Sequence, residues 1–522
     1  MSEAGQAATA PVEVVTPEAG LRPPWRLLLV LAAVPLLEAV FRMGRLHPDE
    51  VFQSLDPAMH RAFGYGVLAW EWQVGLRNWF VPGVFSWLLQ LAQVFGVQDV
   101  QARRFVLALP QYALHVAMLA ALWRLAARRI GTAFAPWAVV LVALNPLVIF
   151  FACRAMSESF SAAFLVWGLE RLDAEEADGD WKVAGLGGVL LGFAQVTRYG
   201  SAAFIAPALV VLAVQRRWRA LGACVAGGVL VALGLGVLDK VTWGSLPNAR
   251  WGGWWHSFQE YLDFNIIKGK SASFGTSPWH AYLPRLLAPV GLVGVVLWRW
   301  SRARVWLFVV PSLVYLVSVS ATPHKEDRFL YPMLVLLCVA GAPAVAQCAA
   351  AAFGKLEAAP AAWMKTVGAR ALVVVVVVAT LLPAVPALMP LGAVPAWART
   401  GFLPERPELF RLTARASREG TGLVVMNEGL WGSGGAFWSN GSNLFMRNQD
   451  PSATASRWWC TCDFPEEPCF QAAQQLPMLN RVILAGPMDP ERYGHAKQLF
   501  EGAGFSLVEM DGEAWYFARA SR

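Results

Sequence analysis

The sequence predicts an all-α polytopic membrane protein with about eleven transmembrane helices, followed by a small C-terminal α/β extracytoplasmic domain. Three observations carry this expectation. Hydrophobic residues make up 56% of the 522 positions and charged residues only 15%, against roughly 25% charged in soluble domains. Apolar runs long enough to cross a hydrocarbon core of ~30 Å recur along most of the chain, and the mean hydropathy is +0.44. Residues 393–522 break that pattern with mixed polar and apolar segments.

Residues 1–24 are polar and rich in Ala and Pro, and read as a disordered cytoplasmic tail. The apolar run behind them is too long for a signal peptide and lacks a convincing cleavage site, so 25–41 is a retained first span. Further spans fall at 105–123, 133–151, 159–170, 183–197, 201–215, 220–238, 283–298, 305–321, 329–350 and 371–392, which makes 25–392 the transmembrane domain. Residues 80–97 are read as an interfacial or re-entrant helix, because Trp79 and Trp87 suit the headgroup layer and Pro82 suits a first helical turn.

With the N-terminus in the cytoplasm, the inward turns include RLAARR at 124–129, QRRWR at 215–219 and RWSRAR at 299–304, as the positive-inside rule expects. The acidic stretch at 170–182 is an exception. The formal charge of +7 fits basic loops facing anionic headgroups, and no Lys/Arg block suggests nucleic acid. The compact polar clusters fall on the outward side, in a first outer loop at 42–104, RAMSES at 154–159, TRYGS at 197–201, a long outer loop at 239–282 and PHKEDR at 323–328.

The tail carries strand-like segments at 422–428 and 481–487, a helical pattern at 490–503 and a terminal hairpin. Of the seven cysteines, Cys153, Cys224 and Cys338 lie in or beside apolar runs as packing residues. Cys460, Cys462 and Cys469 have a spacing that matches no standard zinc pattern, so a disulfide with one spare thiol is the better reading than a metal site.

Asp49 and Glu50 adjoin at the end of the first span. They suit a helix-end cap, a salt bridge to Arg42 or Arg45, a divalent-cation site, or a general base that takes a proton from an attacking hydroxyl. In PHKEDR, five consecutive ionisable residues sit between two apolar runs. They suit a solvated loop that snorkels to headgroups, or an anion site in which His324, Lys325 and Arg328 face a phosphate while Glu326 and Asp327 hold the cations. Arg154 and Arg198 each open an outward turn, either as ordinary interfacial arginines or as further anion contacts. The long outer loop is dense in Trp and Tyr, which stack on sugars but also build interfacial belts.

HPDE after the first span, RAMSES, TRYGS, DKVTWGSLP, YLDFNIIKGKSASFGTSPWHAY and PHKEDRFLYPM together resemble motifs of the dolichyl-phosphate-mannose-dependent mannosyltransferases of glycosyltransferase family 22, in that family's order and over about 25–350. The resemblance implies a GT-C fold and an inverting transfer of mannose from a polyprenyl-phosphate-mannose donor to a glycolipid or lipid-linked glycan, with no metal or other cofactor. It implies Asp49 as the base with Glu50 in support, and His324, Lys325, Arg328, Arg198 and Arg154 at the donor phosphate. His47, Trp279, His280 and Tyr282 become candidate donor or acceptor contacts. The Ala/Val/Arg-heavy composition points to a GC-rich bacterial genome, with the site facing the periplasm from the inner membrane; a eukaryotic chain would face the endoplasmic-reticulum lumen. The alternatives are transfer of another sugar, a protein acceptor, or a lipid or solute transporter, since intramembrane charge also marks transport paths. Against transport, the sequence holds no inverted repeat, and its polar residues gather on one face.

Overall fold

The computed structural model describes residues 21–41, 46–174, 176–282, 306–353, 371, 407–420, 423–427, 434–439, 479–486 and 490–520. Helix α1 (Trp25–Phe41) leads to the first outer loop, which contains α2 (Asp56–Phe63) and α3 (Phe80–Val94). The bundle continues with α4 (Val100–Arg129), α5 (Ala135–Ala143), α6 (Pro146–Phe151), α7 (Ser157–Asp173), α8 (Trp181–Thr197), α9 (Ala202–Val214), α10 (Trp218–Trp243), α11 (Trp306–Ala321) and α12 (Tyr331–Phe353).

Among the described residues, two helices are long and apolar enough to cross a membrane, α4 and α10. The expected eleven spans are therefore not a count that the structure returns, and 283–298 and 372–392 lie outside the described residues. The expected span at 133–151 is divided into α5 and α6. Asn145 caps α6 by accepting the Leu147 amide at 3.0 Å, and Pro146 fills the first helical position. Helix α10 leaves Val225, Val229, Leu230, Leu233, Val237 and Val241 exposed, an apolar face suited to lipid. Its opposite face meets α8 at small residues. A Cβ on Gly188 would stand 1.9 Å from the Cys224 carbonyl, and one on Gly227 would stand 2.2 Å from that of Gly185, so only glycine permits this backbone approach.

The acidic exception at 170–182 has a packing reason. Glu170 is fully buried and takes Arg124 at 3.0 Å and Arg128 at 2.9 Å, while Asp173 takes Arg129 at 2.6 Å. These carboxylates neutralise the basic turn beside them.

The tail folds as expected from its alternating pattern, with one addition. Strands β1 (Leu423–Asn427), β2 (Arg481–Ala485), β3 (Ser506–Asp511) and β4 (Ala514–Ala518) form a sheet of order β1-β2-β4-β3, parallel only between β1 and β2. Helix α14 (Pro490–Gly502) was legible in sequence, whereas α13 (Pro407–Glu419) was not singled out. Cys460, Cys462 and Cys469 lie outside the described residues; Cys153, Cys224 and Cys338 are buried free thiols, as packing residues should be.

The tail shares one hydrophobic core with the first outer loop: Val51, Phe52 and Leu55 join Phe410, Phe437, Trp438 and Tyr516. A buried carboxylate fixes the contact. Asp56 accepts the Phe437 amide at 2.9 Å and the Val67 amide at 3.2 Å. Gly435, at φ +63°, lies so close that a Cβ there would stand 2.7 Å from the Asp56 carboxylate. Asp56→Ala leaves two amides without their acceptor, at a cost of about 1–3 kcal/mol for each buried group. It therefore lowers the thermal midpoint in detergent, while Asp56→Asn, which keeps one acceptor oxygen, lowers it less.

Candidate active site

The acidic pair stands on a helix that the sequence builds to hold it. His47 accepts the Asp49 amide through Nδ1 at 3.1 Å, and Pro48 occupies the first helical position, so the turn Pro48–Glu50 starts where HP is written. It runs into a π-helical turn, Val51–Leu55, and then into α2.

The two carboxylates diverge. Glu50 points into the bundle, where its Oε2 lies 3.2 Å from Arg154 Nη1 and its Oε1 accepts the Ala155 amide at 3.1 Å. Arg154 also donates to Glu38 of α1 at 3.0 Å and to the Phe150 carbonyl at 2.8 Å, and its side chain is fully buried. This sealed triad corrects two expectations. Arg154 is enclosed by protein groups and is not placed to reach a ligand phosphate. Glu50 holds Arg154 and does not adjoin the Asp49 carboxylate, so the pair does not converge on a shared cation. Arg42 and Arg45 lie outside the described residues.

Asp49 points the other way and retains 33% side-chain exposure. Its Oδ2 accepts Arg328 Nη2 at 2.6 Å, and the same nitrogen donates to Glu326 Oε1 at 2.7 Å. His324 Nε2 stands 2.9 Å from Glu326 Oε1, and His47 Nε2 stands 3.5 Å from Glu326 Oε2. Glu158, in the first turn of α7, lies 3.7 Å from Arg328 Nε and 2.5 Å from Arg198 Nη1. Both guanidinium groups lie over the Phe329 ring. Turns distant in sequence thus meet around one carboxylate. Burial works to raise the Asp49 carboxyl, but Arg328, His47 and Arg77 together hold it below its ordinary value. Glu326 is likewise held far below the usual range, since His47, Arg328 and His324 outweigh its burial.

The other expected contacts take different places. Lys325 donates to the carbonyls of Thr322 at 2.6 Å and Ser277 at 3.0 Å, tying its own turn to the long outer loop. Tyr282 is buried, and its hydroxyl accepts the Glu326 amide and donates to the Glu326 carbonyl, both at 3.1 Å, so it is a strut for Glu326 and not a ligand contact. Trp279 and His280 are exposed and stack edge-on against each other. Of the other loop aromatics, Trp243 packs into a core with Trp72 and Trp79, while Trp251 is exposed.

Sequence reasoning missed Glu38 and Glu158. Glu38 carried a readable signal, a lone carboxylate inside the first apolar run. Glu158 stood within RAMSES but has no local feature that distinguishes it from a first-turn acid.

The helical bundle has the fold of the GT-C glycosyltransferases, as its likeness to a solved structure shows. ArnT from Cupriavidus metallidurans, solved with bound undecaprenyl phosphate, superposes over 95% of this chain and 98% of its own, at a TM-score of 0.61 and 15% identity. The chain belongs to the Alg9-like mannosyltransferase family, whose model matches residues 26–391. GPI mannosyltransferase 3 of Yarrowia lipolytica is 29% identical over 64% of this chain and 64% of its own length. GPI alpha-1,2-mannosyltransferase 3 of Xenopus laevis is 25% identical over 60% of this chain and 58% of its own. The match thus spans somewhat less than two thirds of these curated relatives.

Arg154→Ala strands two buried carboxylates, at a cost of about 3–5 kcal/mol. Its thermal midpoint falls well below that of the wild type. Arg154→Lys recovers only part of the loss, because an ammonium cannot reproduce the fork that reaches Glu38 and Glu50.

Proposed function

We propose that the chain is an inverting mannosyltransferase. It moves mannose from polyprenyl-phosphate-mannose to a hydroxyl of a glycolipid or lipid-linked glycan on the extracytoplasmic face. The observation that carries this reading is the ionised, part-exposed Asp49 carboxylate, fixed by Arg328 beside further cationic groups at the end of an apolar bundle.

In this mechanism Asp49 takes the proton of the acceptor hydroxyl as its oxygen attacks the anomeric carbon. The bond from that carbon to the phosphate oxygen breaks, and the polyprenyl phosphate departs with the electron pair. Attack opposite the leaving group inverts the anomeric centre. Arg328, Arg198, His324 and the remaining Lys325 proton meet the charge that develops on the phosphate. Glu326 and Glu158 hold the two guanidinium groups in place. Glu50 and Arg154 act at one remove, by fixing the helix that carries Asp49. The reaction needs no metal. The polyprenyl chain of the donor lies along the apolar flank of the bundle.

Asp49→Asn abolishes transfer of labelled mannose from the donor to a membrane-lipid extract, with unchanged expression and elution, and wild-type transfer survives EDTA. Transfer that persists in Asp49→Asn removes the base assignment.

The charge arrangement also sets a pH dependence. Because its pKa is depressed, Asp49 is already ionised above the ordinary carboxylate value of 3.8, so the acid limb of the wild-type rate lies below that value. Arg328→Ala removes the largest lowering influence and leaves burial, which raises the carboxyl. The acid limb of its residual rate therefore moves to higher pH.

A further inference from the structure

The first outer loop, the turns at 157–160 and 196–199 and Tyr261 together line a polar cavity of about 90 Å³ that the proton-transfer step does not use. Gln53 and Ser54, about one helical turn beyond Asp49, line it. Its walls include Arg77, Asn78, Ser157, Arg198 and Tyr261.

Some of these groups are committed to protein partners and make the walls rigid. Asn78 donates to the Val196 carbonyl and the Tyr199 hydroxyl, both at 2.9 Å, and accepts the Phe80 amide at 3.1 Å. Arg77 forms a two-pronged bridge to Glu71 at 2.8 and 3.0 Å. Others leave capacity for a ligand. Arg198 gives one nitrogen to Glu158 and Ser157, but its buried Nε has no acceptor among the described residues. A buried donor without a partner costs free energy unless a ligand or water supplies the acceptor. The rings of Tyr261 and Tyr199 stand 5.2 Å apart at the cavity edge, an apolar surface beside the amide and guanidinium groups.

We infer that this cavity binds a pyranose ring, with Gln53 and Arg198 Nε bonding its hydroxyl oxygens and Tyr261 lying against its apolar face. Polar groups that both donate and accept, one unmet donor and an aromatic wall match a ring with hydroxyls at its edge and C–H bonds on its faces. Arg198 is shared between the cavity and the Asp49–Arg328 cluster, to which Glu158 joins it, so the cavity adjoins the cluster. The inference rests on the glycosyl-transfer reading and names the pocket that this reading leaves open. The ring is either the transferred sugar or the sugar that bears the acceptor hydroxyl.

The first test does not depend on turnover. Gln53→Cys in the full-length chain, purified in detergent, is alkylated with a small methanethiosulfonate reagent, and the modification of residue 53 is followed by peptide mass. Methyl α-D-mannopyranoside slows alkylation, and inorganic phosphate at the same concentration does not. Protection by phosphate alone makes the cavity an anion pocket and overturns the inference, as does protection by neither. The second test measures transfer by Gln53→Ala and Tyr261→Ala, with each substrate titrated in turn. Loss of one or two hydrogen bonds raises one KM about tenfold, while kcat stays within about twofold. A shift in the donor KM places the transferred sugar in the cavity, and a shift in the acceptor KM places the acceptor sugar there. Tyr261→Phe, which keeps the ring, retains the wild-type KM. Unchanged values for both substrates in both alanine variants overturn the inference. A wild-type chain that binds the mannoside but transfers nothing would count against the transfer reading and leave the pocket standing.

Discussion

A fully buried guanidinium governs the geometry of this protein. Arg154 is enclosed between Glu38 of the first helix and Glu50 of the first outer loop, with a backbone carbonyl taking its third direction. A charge in that position is tolerable only when every partner is in place, which gives the pair little tolerance for alternatives. The loop helix consequently has one orientation relative to the bundle. With Glu50 turned inward by its partner, the neighbouring side chain on the same helical turn faces outward. The position of Asp49 at the surface is thus a by-product of a salt bridge it does not join.

The second arrangement built on that orientation is the contact between Asp49 and Arg328, which are 279 positions apart. One guanidinium nitrogen serves Asp49 and Glu326, and the Tyr282 hydroxyl pins the Glu326 backbone from both sides. The cluster is a set of like and unlike charges in which Arg328, Arg198, His324 and His47 each stand against a carboxylate. Ligand anions entering such a set compete with groups already bound, so selectivity here arises from replacement of one partner by another. It does not arise from a vacant positive patch.

Much of this was legible in the sequence, and the illegible part has a common cause. The helix at 80–94 and the tail strands follow from hydrophobic pattern and turn chemistry, which are local. The roles of Arg154 and Glu50 were misjudged because their partnership spans 104 positions and leaves no local trace. Tyr282 looked like an aromatic contact for a sugar, yet its ring is buried and its hydroxyl is spent on backbone. The division of 133–151 was written in Asn145-Pro146, a cap and a first-turn proline that the apolar run around them concealed. The cavity lined by Gln53 and Arg198 drew on four separate segments, none of which suggested a pocket alone.

The clasp between Asp56 and the Phe437 amide joins positions 381 apart, and it bears on how the molecule is made. A ribosome delivers the first outer loop well before the clasping amide. Until residues 410–438 emerge, the loop that carries Asp49 lacks a wall of its core, since Phe410, Phe437 and Trp438 have not arrived. An incomplete nascent chain therefore holds Asp49 on a loop that Arg154 already orients but that lacks this second support.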